Sequence, residues 1–210
     1  MAHPASRKAA LIAVDVQNDF CPGGALAVPG GDEVIGPINR LIEAFETVVL
    51  TQDWHPPGHS SFASSHPGRA PFSSIEMFYG QQTLWPDHCV QGTPGAAFHP
   101  ELRWDKARLI IRKGIHPSID SYSTFFENDR QTPTGLAGFL REHGIEHVVL
   151  AGLALDYCVA YSALDARVHG FQVTVVADAC RAIDLAGSRA AAETEMREAG
   201  VAFAGIQDNS

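Results

Sequence analysis

"HVVLAGLALDYCVAY", residues 147–161, decides how this chain is read. Its first half is short, β-branched and almost wholly apolar, the composition of a strand buried on both faces. From about residue 157 a helical pattern takes over and runs to 169. A strand that passes through a tight turn into a helix is one β-α step, and such steps lay parallel strands side by side under covering helices. Cys158 stands at the junction, where packing alone would ordinarily place a hydrophobe. Core residue, disulfide half, metal ligand and nucleophile are all open for it at this point.

The same alternation recurs outward from that step. "AALIAVD" (9–15), "TVVLTQD" (47–53), "ARLIIRK" (107–113) and "FQVTVVAD" (171–178) read as buried strands, with "VAFAGI" (201–206) as a sixth. Helical patterns fall at roughly 32–46, 133–143 and 187–199. The middle one has Thr132 or Thr134 near its cap, proline in its first turn and Gly144 as its stop. The expectation is a three-layer α/β/α sandwich with a mostly parallel central sheet of about six strands, in one domain over 1–210. The connections at about 54–106 and 114–132 are too long to be mere links. Their aromatic content argues for ordered, functional loops. Whether 63–82 is a lid, a dimer contact or only a long loop is open at this stage.

Composition narrows the class. The 210 residues are 45% hydrophobic and 19% charged, with a net charge of −9. No basic stripe is present, which disfavours a nucleic-acid surface or a polybasic membrane anchor. The apolar runs have strand length, not membrane-spanning length. Residues 7–14, "RKAALIAV", have the charged-then-apolar order of a signal peptide. The apolar part is short and runs into Asp15, so it reads as the first strand of a cytoplasmic protein. Four cysteines permit two disulfides on arithmetic, yet that pattern belongs to small secreted domains, and free thiols are expected. Cys21 and Cys180 read as small packing thiols.

In open parallel sheets, ligands bind beyond the carboxyl ends of the strands. Here those ends carry Asp15, Asp53 and Lys113, and the fourth runs into the Cys158 turn. Any one of them is explained by water beginning where a strand stops. Together they set an acid, a base and a thiol at neighbouring strand ends. A thiol at a helix amino end is acidified by the helix. A nearby carboxylate takes its proton and returns it to a leaving group, while a lysine holds the carboxylate ionised. That chemistry is acyl transfer through a thioester.

A second constellation is "DWH" (53–55) with "WPDHC" (85–89). Asp53 and His55 project to one side of an extended segment. With His88 they form a set suited to zinc, iron or manganese. D-x-H pairs are also common without a metal, and loop histidines are usually solvated; His59, His66 and His99 read that way. Cys89 is a weaker ligand candidate than its neighbour.

These strings, in this order, resemble the nicotinamidase/pyrazinamidase family of the isochorismatase-like cysteine hydrolases. "ALIAVDVQNDFCPGGALAV", "TQDWHPPGHSSFAS", "LWPDHCVQGTPGAAFHPEL", "IRKG", "DSYSTFF" and "VVLAGLALDYCVAYSALDA" carry the likeness over nearly the whole chain. The resemblance implies a triad of Asp15, Lys113 and Cys158, and metal ligands Asp53, His55 and His88. It further implies a cis Leu153–Ala154 peptide and an oxyanion hole from the backbone N–H groups of Ala154 and Cys158. Phe20, Trp85 and Tyr122 would wall a slot for a flat ring. The implied substrate is nicotinamide, with pyrazinamide beside it, hydrolysed to the acid and ammonia in NAD salvage. The implied cofactor is one divalent ion, zinc first and iron or manganese otherwise. Some relatives supply a further ligand where this chain has Ser61, so three side chains plus water are expected. A homo-oligomer is compatible with all of this. The rivals are another amidase of the superfamily acting on a different small amide, and a non-catalytic metal-binding module.

Overall fold

The computed structural model describes residues 9–206; Arg7 and Lys8 of the 7–14 stretch lie outside them. Six strands form one sheet: β1 (Ala9–Val14), β2 (Thr47–Asp53), β5 (Leu109–Lys113), β6 (His147–Leu153), β7 (Gln172–Arg181) and β8 (Ala202–Ala204). Their spatial order is β5-β2-β1-β6-β7-β8, and every pairing in it is parallel. The order reverses at β1, so the crevice above the carboxyl ends of β1 and its neighbours is where such a sheet takes a ligand.

Alternation along β1 shows why the fold has three layers. Ala10, Ile12 and Val14 pack into a core with Leu136 and Leu140 of α2 (Leu136–Glu142), Ala160, Ala163 and Ala166 of α3 (Ala160–Val168), and Ala192 and Met196 of α4 (Ser188–Glu198). Leu11 and Ala13 point to the opposite face, against Ile35, Ile38, Leu41 and Ile42 of α1 (Ile35–Ala44). With helices on both faces, β1 needs apolar residues at every position, and all six are buried.

Three expectations shift. The strand over 107–113 is the sheet edge, so Ile110 and Arg112 are exposed while Ile111 and Lys113 are buried. Arg112 lays its guanidinium over the Trp54 ring at 3.9 Å, which covers part of that edge. The helix expected from 133 begins at Leu136, preceded by Gly135 at φ 95°. Pro133 therefore lies ahead of the helix, and Thr134 Oγ1 accepts from Leu136 N at 3.2 Å. The 63–82 segment contains most of an antiparallel hairpin, β3 (Ser74–Met77) and β4 (Gly80–Thr83). No helix among the described residues is long and apolar enough to cross a membrane.

Gly152 allows β6 to lie against β1 at the point where the site begins. Its φ is +129°, and a Cβ there would sit 2.1 Å from the Val14 carbonyl oxygen. Gly152→Ala is therefore expected to cost at least about 3 kcal/mol, from a backbone clash added to a left-handed conformation. A denaturant midpoint matching the wild type would contradict that close approach.

Candidate active site

The carboxyl ends of β1, β2, β5 and β6 bring the sequence candidates together. β2 and β5 are in register with Asp53 opposite Lys113. Asp15 follows β1 in a left-handed conformation, φ 49°. Its N–H donates to Thr51 Oγ1 at 3.1 Å, and that hydroxyl donates back to Asp15 Oδ1 at 2.6 Å. The Leu153–Ala154 peptide is cis. Beyond it the chain makes one wide helical turn, Leu155–Val159, and continues into α3. Cys158 lies on that turn, facing the end of β5.

Lys113 is the centre of the cluster and is wholly buried. Its Nζ donates to Asp53 Oδ1 at 2.9 Å, to the Ser121 carbonyl at 2.8 Å and to Cys158 Sγ at 3.5 Å. Asp15 Oδ2 lies 2.9 Å from the same nitrogen. That contact is an ion pair off the ideal hydrogen-bond direction. Burial disfavours the charged lysine, but Asp15 and Asp53 outweigh it and hold the ammonium well above its ordinary pKa. Burial pushes the Asp15 carboxyl up, against the pull of Lys113.

One expectation reverses here. The helix end and the lysine were expected to acidify Cys158. Burial instead lifts the thiol well above its ordinary value; Lys113 opposes this, and the Asp15 and Asp53 charges add to it. Burial thus favours the thiol form of Cys158, beside a carboxylate.

Next to this cluster, Asp53 Oδ2 is 3.1 Å from His55 Nε2 and 3.3 Å from His88 Nε2, all three residues being buried. Ligand atoms around zinc at about 2.0–2.1 Å in a tetrahedron are separated by about 3.3 Å, so the spacing suits an ion. The tautomers suit it too. His55 Nδ1–H donates to the Gly114 carbonyl at 3.0 Å and His88 Nδ1–H to the Pro86 carbonyl at 2.7 Å. Each ring therefore directs Nε2 toward Asp53, where the neutral form offers a lone pair to an ion. Burial opposes protonation of His55, but the Asp53 carboxylate outweighs it and raises the pKa to about 8. Burial opposes ionisation of Asp53, but His55 and Lys113 outweigh it and hold the carboxyl well below its usual range. The residues fit a metal.

Gly114 makes that geometry reachable. At φ +65°, a Cβ on it would lie 2.5 Å from His55 Cε1, so only glycine lets the carbonyl approach the ring this closely. Gln17, unnoticed in the sequence, clamps the other side. Its amide donates to the Asp53 carbonyl and accepts from the Asp53 N–H, both at 2.8 Å.

His59 corrects the reading of the loop histidines. It is wholly buried, with its ring 4.4 Å from that of His55. It also forms a metal-sized group with His55 and Asp120. Its nitrogens are already committed. Nε2–H donates to the His116 and Ile119 carbonyls at 2.9 and 3.2 Å, and Nδ1 accepts from Ser61 Oγ at 2.8 Å. His59 thus braces the loop under His55, and Ser61 binds His59. His66 and His99 are partly exposed.

A single pocket opens onto both clusters. Its lining includes Phe20, Asp53, Trp85, His88, Tyr122, Ala154 and Cys158, all singled out from sequence. Leu26, Asp120, Tyr157 and Ile183 complete it and were missed. The Trp85, Tyr122 and Tyr157 rings meet edge to face, with Trp85 and Tyr157 centroids 4.9 Å apart. These rings give the pocket an aromatic wall. Cys21, Cys89 and Cys180 are free and buried. Cys89 lies outside the compact trio that His88 joins.

Comparison with known proteins identifies the family. Residues 9–208 match the isochorismatase domain model. The nicotinamidase of Acinetobacter baylyi is 56% identical over 192 residues, covering 91% of this chain and 90% of that protein. The Acinetobacter baumanii nicotinamidase/pyrazinamidase structure superposes with a TM-score of 0.95 at 54% identity, covering 96% of this chain and 98% of that one. The Pyrococcus horikoshii pyrazinamidase, solved in complex with zinc, gives 0.77 at 38% identity, covering 94% and 99%. On fold, site and relatives together, the chain belongs to the isochorismatase family, in its nicotinamidase/pyrazinamidase branch.

Proposed function

We propose that this chain, as a single domain, hydrolyses nicotinamide, and pyrazinamide with it, to the ring acid and ammonia through a Cys158 thioester, returning the pyridine ring to NAD synthesis. The observation that carries the reading is one pocket shared by the Cys158–Lys113–Asp15 cluster and the Asp53–His55–His88 trio. An amidase without metal dependence has no use for the second, and a metal-binding module has none for the first.

In this reading Phe20, Trp85, Tyr122 and Tyr157 hold the ring and aim its carboxamide carbon at Cys158. Asp15 Oδ2 accepts the thiol proton as Sγ attacks. The backbone N–H groups of Ala154 and Cys158 receive the developing oxyanion. Asp15 then gives its proton to the departing ammonia, and the C–N bond breaks to leave the thioester. The same carboxylate next deprotonates a water, which releases the acid and restores the thiol. Lys113 keeps Asp15 ionised between these steps. When bound to Asp53, His55 and His88, a divalent ion, zinc first among the candidates, supplies a Lewis-acid anchor for the ring nitrogen of the substrate.

Metal removal tests this directly. A chelated sample is expected to lose at least about 100-fold in ammonia release and to regain it with zinc, iron or manganese. Full activity in protein shown to be metal-free would remove the trio from the reaction.

The pH profile tests Asp15. A base must be ionised to take a proton, so kcat/KM rises with pH through its titration. Burial places that titration above the ordinary carboxylate value of 3.8. An acid limb at or below that value in kcat/KM would exclude Asp15 as the base.

A further inference from the structure

The 74–83 hairpin has no place in the chemistry described so far, yet it delivers one residue to the back of the pocket. Gln82, on β4, is wholly buried. Its Nε2 donates to Asp120 Oδ2 at 2.6 Å, to the Thr83 carbonyl at 2.7 Å and to the Tyr122 hydroxyl at 3.0 Å. Its Oε1 accepts from Tyr79 OH at 3.1 Å and from Asn128 Nδ2 at 3.2 Å. Carboxylate and carbonyl surround the nitrogen, and a hydroxyl and an amide N–H surround the oxygen, so the amide has one orientation that satisfies all of them.

What Gln82 holds matters more than how many bonds it makes. Asp120 and Tyr122 both line the pocket, and neither belongs to a strand or helix. The Tyr122 hydroxyl also accepts from Trp85 Nε1 at 3.2 Å, so Gln82 reaches both walls of the aromatic slot through one oxygen. Asn128 completes the frame. Its N–H donates to the Asp120 carbonyl at 2.7 Å and its Oδ1 accepts from Tyr122 N at 3.0 Å. Remove Gln82, and the 120–128 loop keeps its backbone ties, Tyr122 keeps its bond from Trp85 and Asp120 its bond from Ser121 N, but both side chains lose the bond that reaches them from the hairpin. At the hairpin tip Tyr79 turns inward to Gln82, while Phe78 points away and is 74% exposed.

We propose that Gln82 is a positioning residue for substrate, and that the hairpin is a fixed back wall of the slot and not a lid. The proposal rests on the nicotinamidase reading, since the ring it positions is the substrate's. It acts through Tyr122, Trp85 and Asp120 and leaves Cys158, Lys113 and Asp15 untouched, so it governs KM more than kcat.

The test uses the zinc-loaded full chain and ammonia release from nicotinamide, with circular dichroism to establish folding. Gln82→Glu keeps the size but turns the donating end into an oxygen facing Asp120 Oδ2; it is expected to raise KM about 10-fold while kcat falls less than about threefold. Tyr79→Phe removes one donor to Gln82 with almost no loss of volume, and is expected to raise KM about threefold. It keeps the test open should the glutamate variant not fold. Phe78→Ala at the exposed tip is expected to change neither constant. The proposal is overturned by folded Gln82→Glu or Tyr79→Phe with KM unchanged, by a loss confined to kcat, or by Phe78→Ala raising KM as far as the glutamate variant does. A wild type that releases no ammonia overturns the nicotinamidase reading as well, which separates the two failures.

Discussion

Lys113→Met is expected to abolish ammonia release and to destabilise the fold by about 3–5 kcal/mol, because it leaves buried carboxylates without their cation. The lysine touches Asp15, Asp53, the Ser121 carbonyl and Cys158 Sγ at once. Methionine fills much of the volume and answers none of those groups. Asp15, whose carboxyl burial already pushes upward, would relieve the strain by holding a proton, and a protonated Asp15 cannot act as base. Lys113→Arg is expected to fail too, since a planar fork does not fit a hole shaped for a point charge. Thermal melts and ammonia release measured on the same preparations check both claims. A folded methionine variant retaining more than a tenth of the wild-type kcat would show that the lysine is structural alone.

Cys158→Ala separates chemistry from folding more cleanly. Rate is expected to fall by roughly 10⁴-fold or more, as when the nucleophile of a covalent mechanism is removed. Stability should change by only about 1 kcal/mol, since one sulfur atom is lost from a core position. Metal content should not change, because the trio does not use the thiol. The informative comparison is nicotinate binding to the alanine variant, followed by Trp85 fluorescence. Retained binding with no turnover assigns Cys158 to bond-making. Substantial ammonia release from the alanine variant would end the thioester mechanism.

Both variants probe residues that were visible before any coordinates, and the reason is local. Strands buried on two faces must be apolar along their length, so a charged residue marks where the strand ends. Asp15, Asp53 and Lys113 announce themselves that way, and Cys158 does so by standing where a strand becomes a helix. The aromatic and metal positions carried less signal of their own. Phe20, Trp85 and Tyr122 gained roles from the likeness to a family, and the pocket brings them together.

The rest lay beyond sequence because it depends on what arrives from elsewhere in the chain. His59 reads as a solvated loop histidine until His116 and Ile119 close over it. Cys158 reads as acidified by a helix end, but burial dominates once two carboxylates and the sheet surround it. The edge position of β5 follows from strand order, which no hydrophobic pattern encodes. Gln82 is a polar residue in a polar stretch, and only the fold sets it against Asp120, 38 residues away. Periodicity and residue type determined the layers, the strand ends and the reactive groups, since each is a property of neighbours in the chain. Long-range packing decided which polar groups are buried, what they face and how they ionise, because burial and charge are properties of neighbours in space.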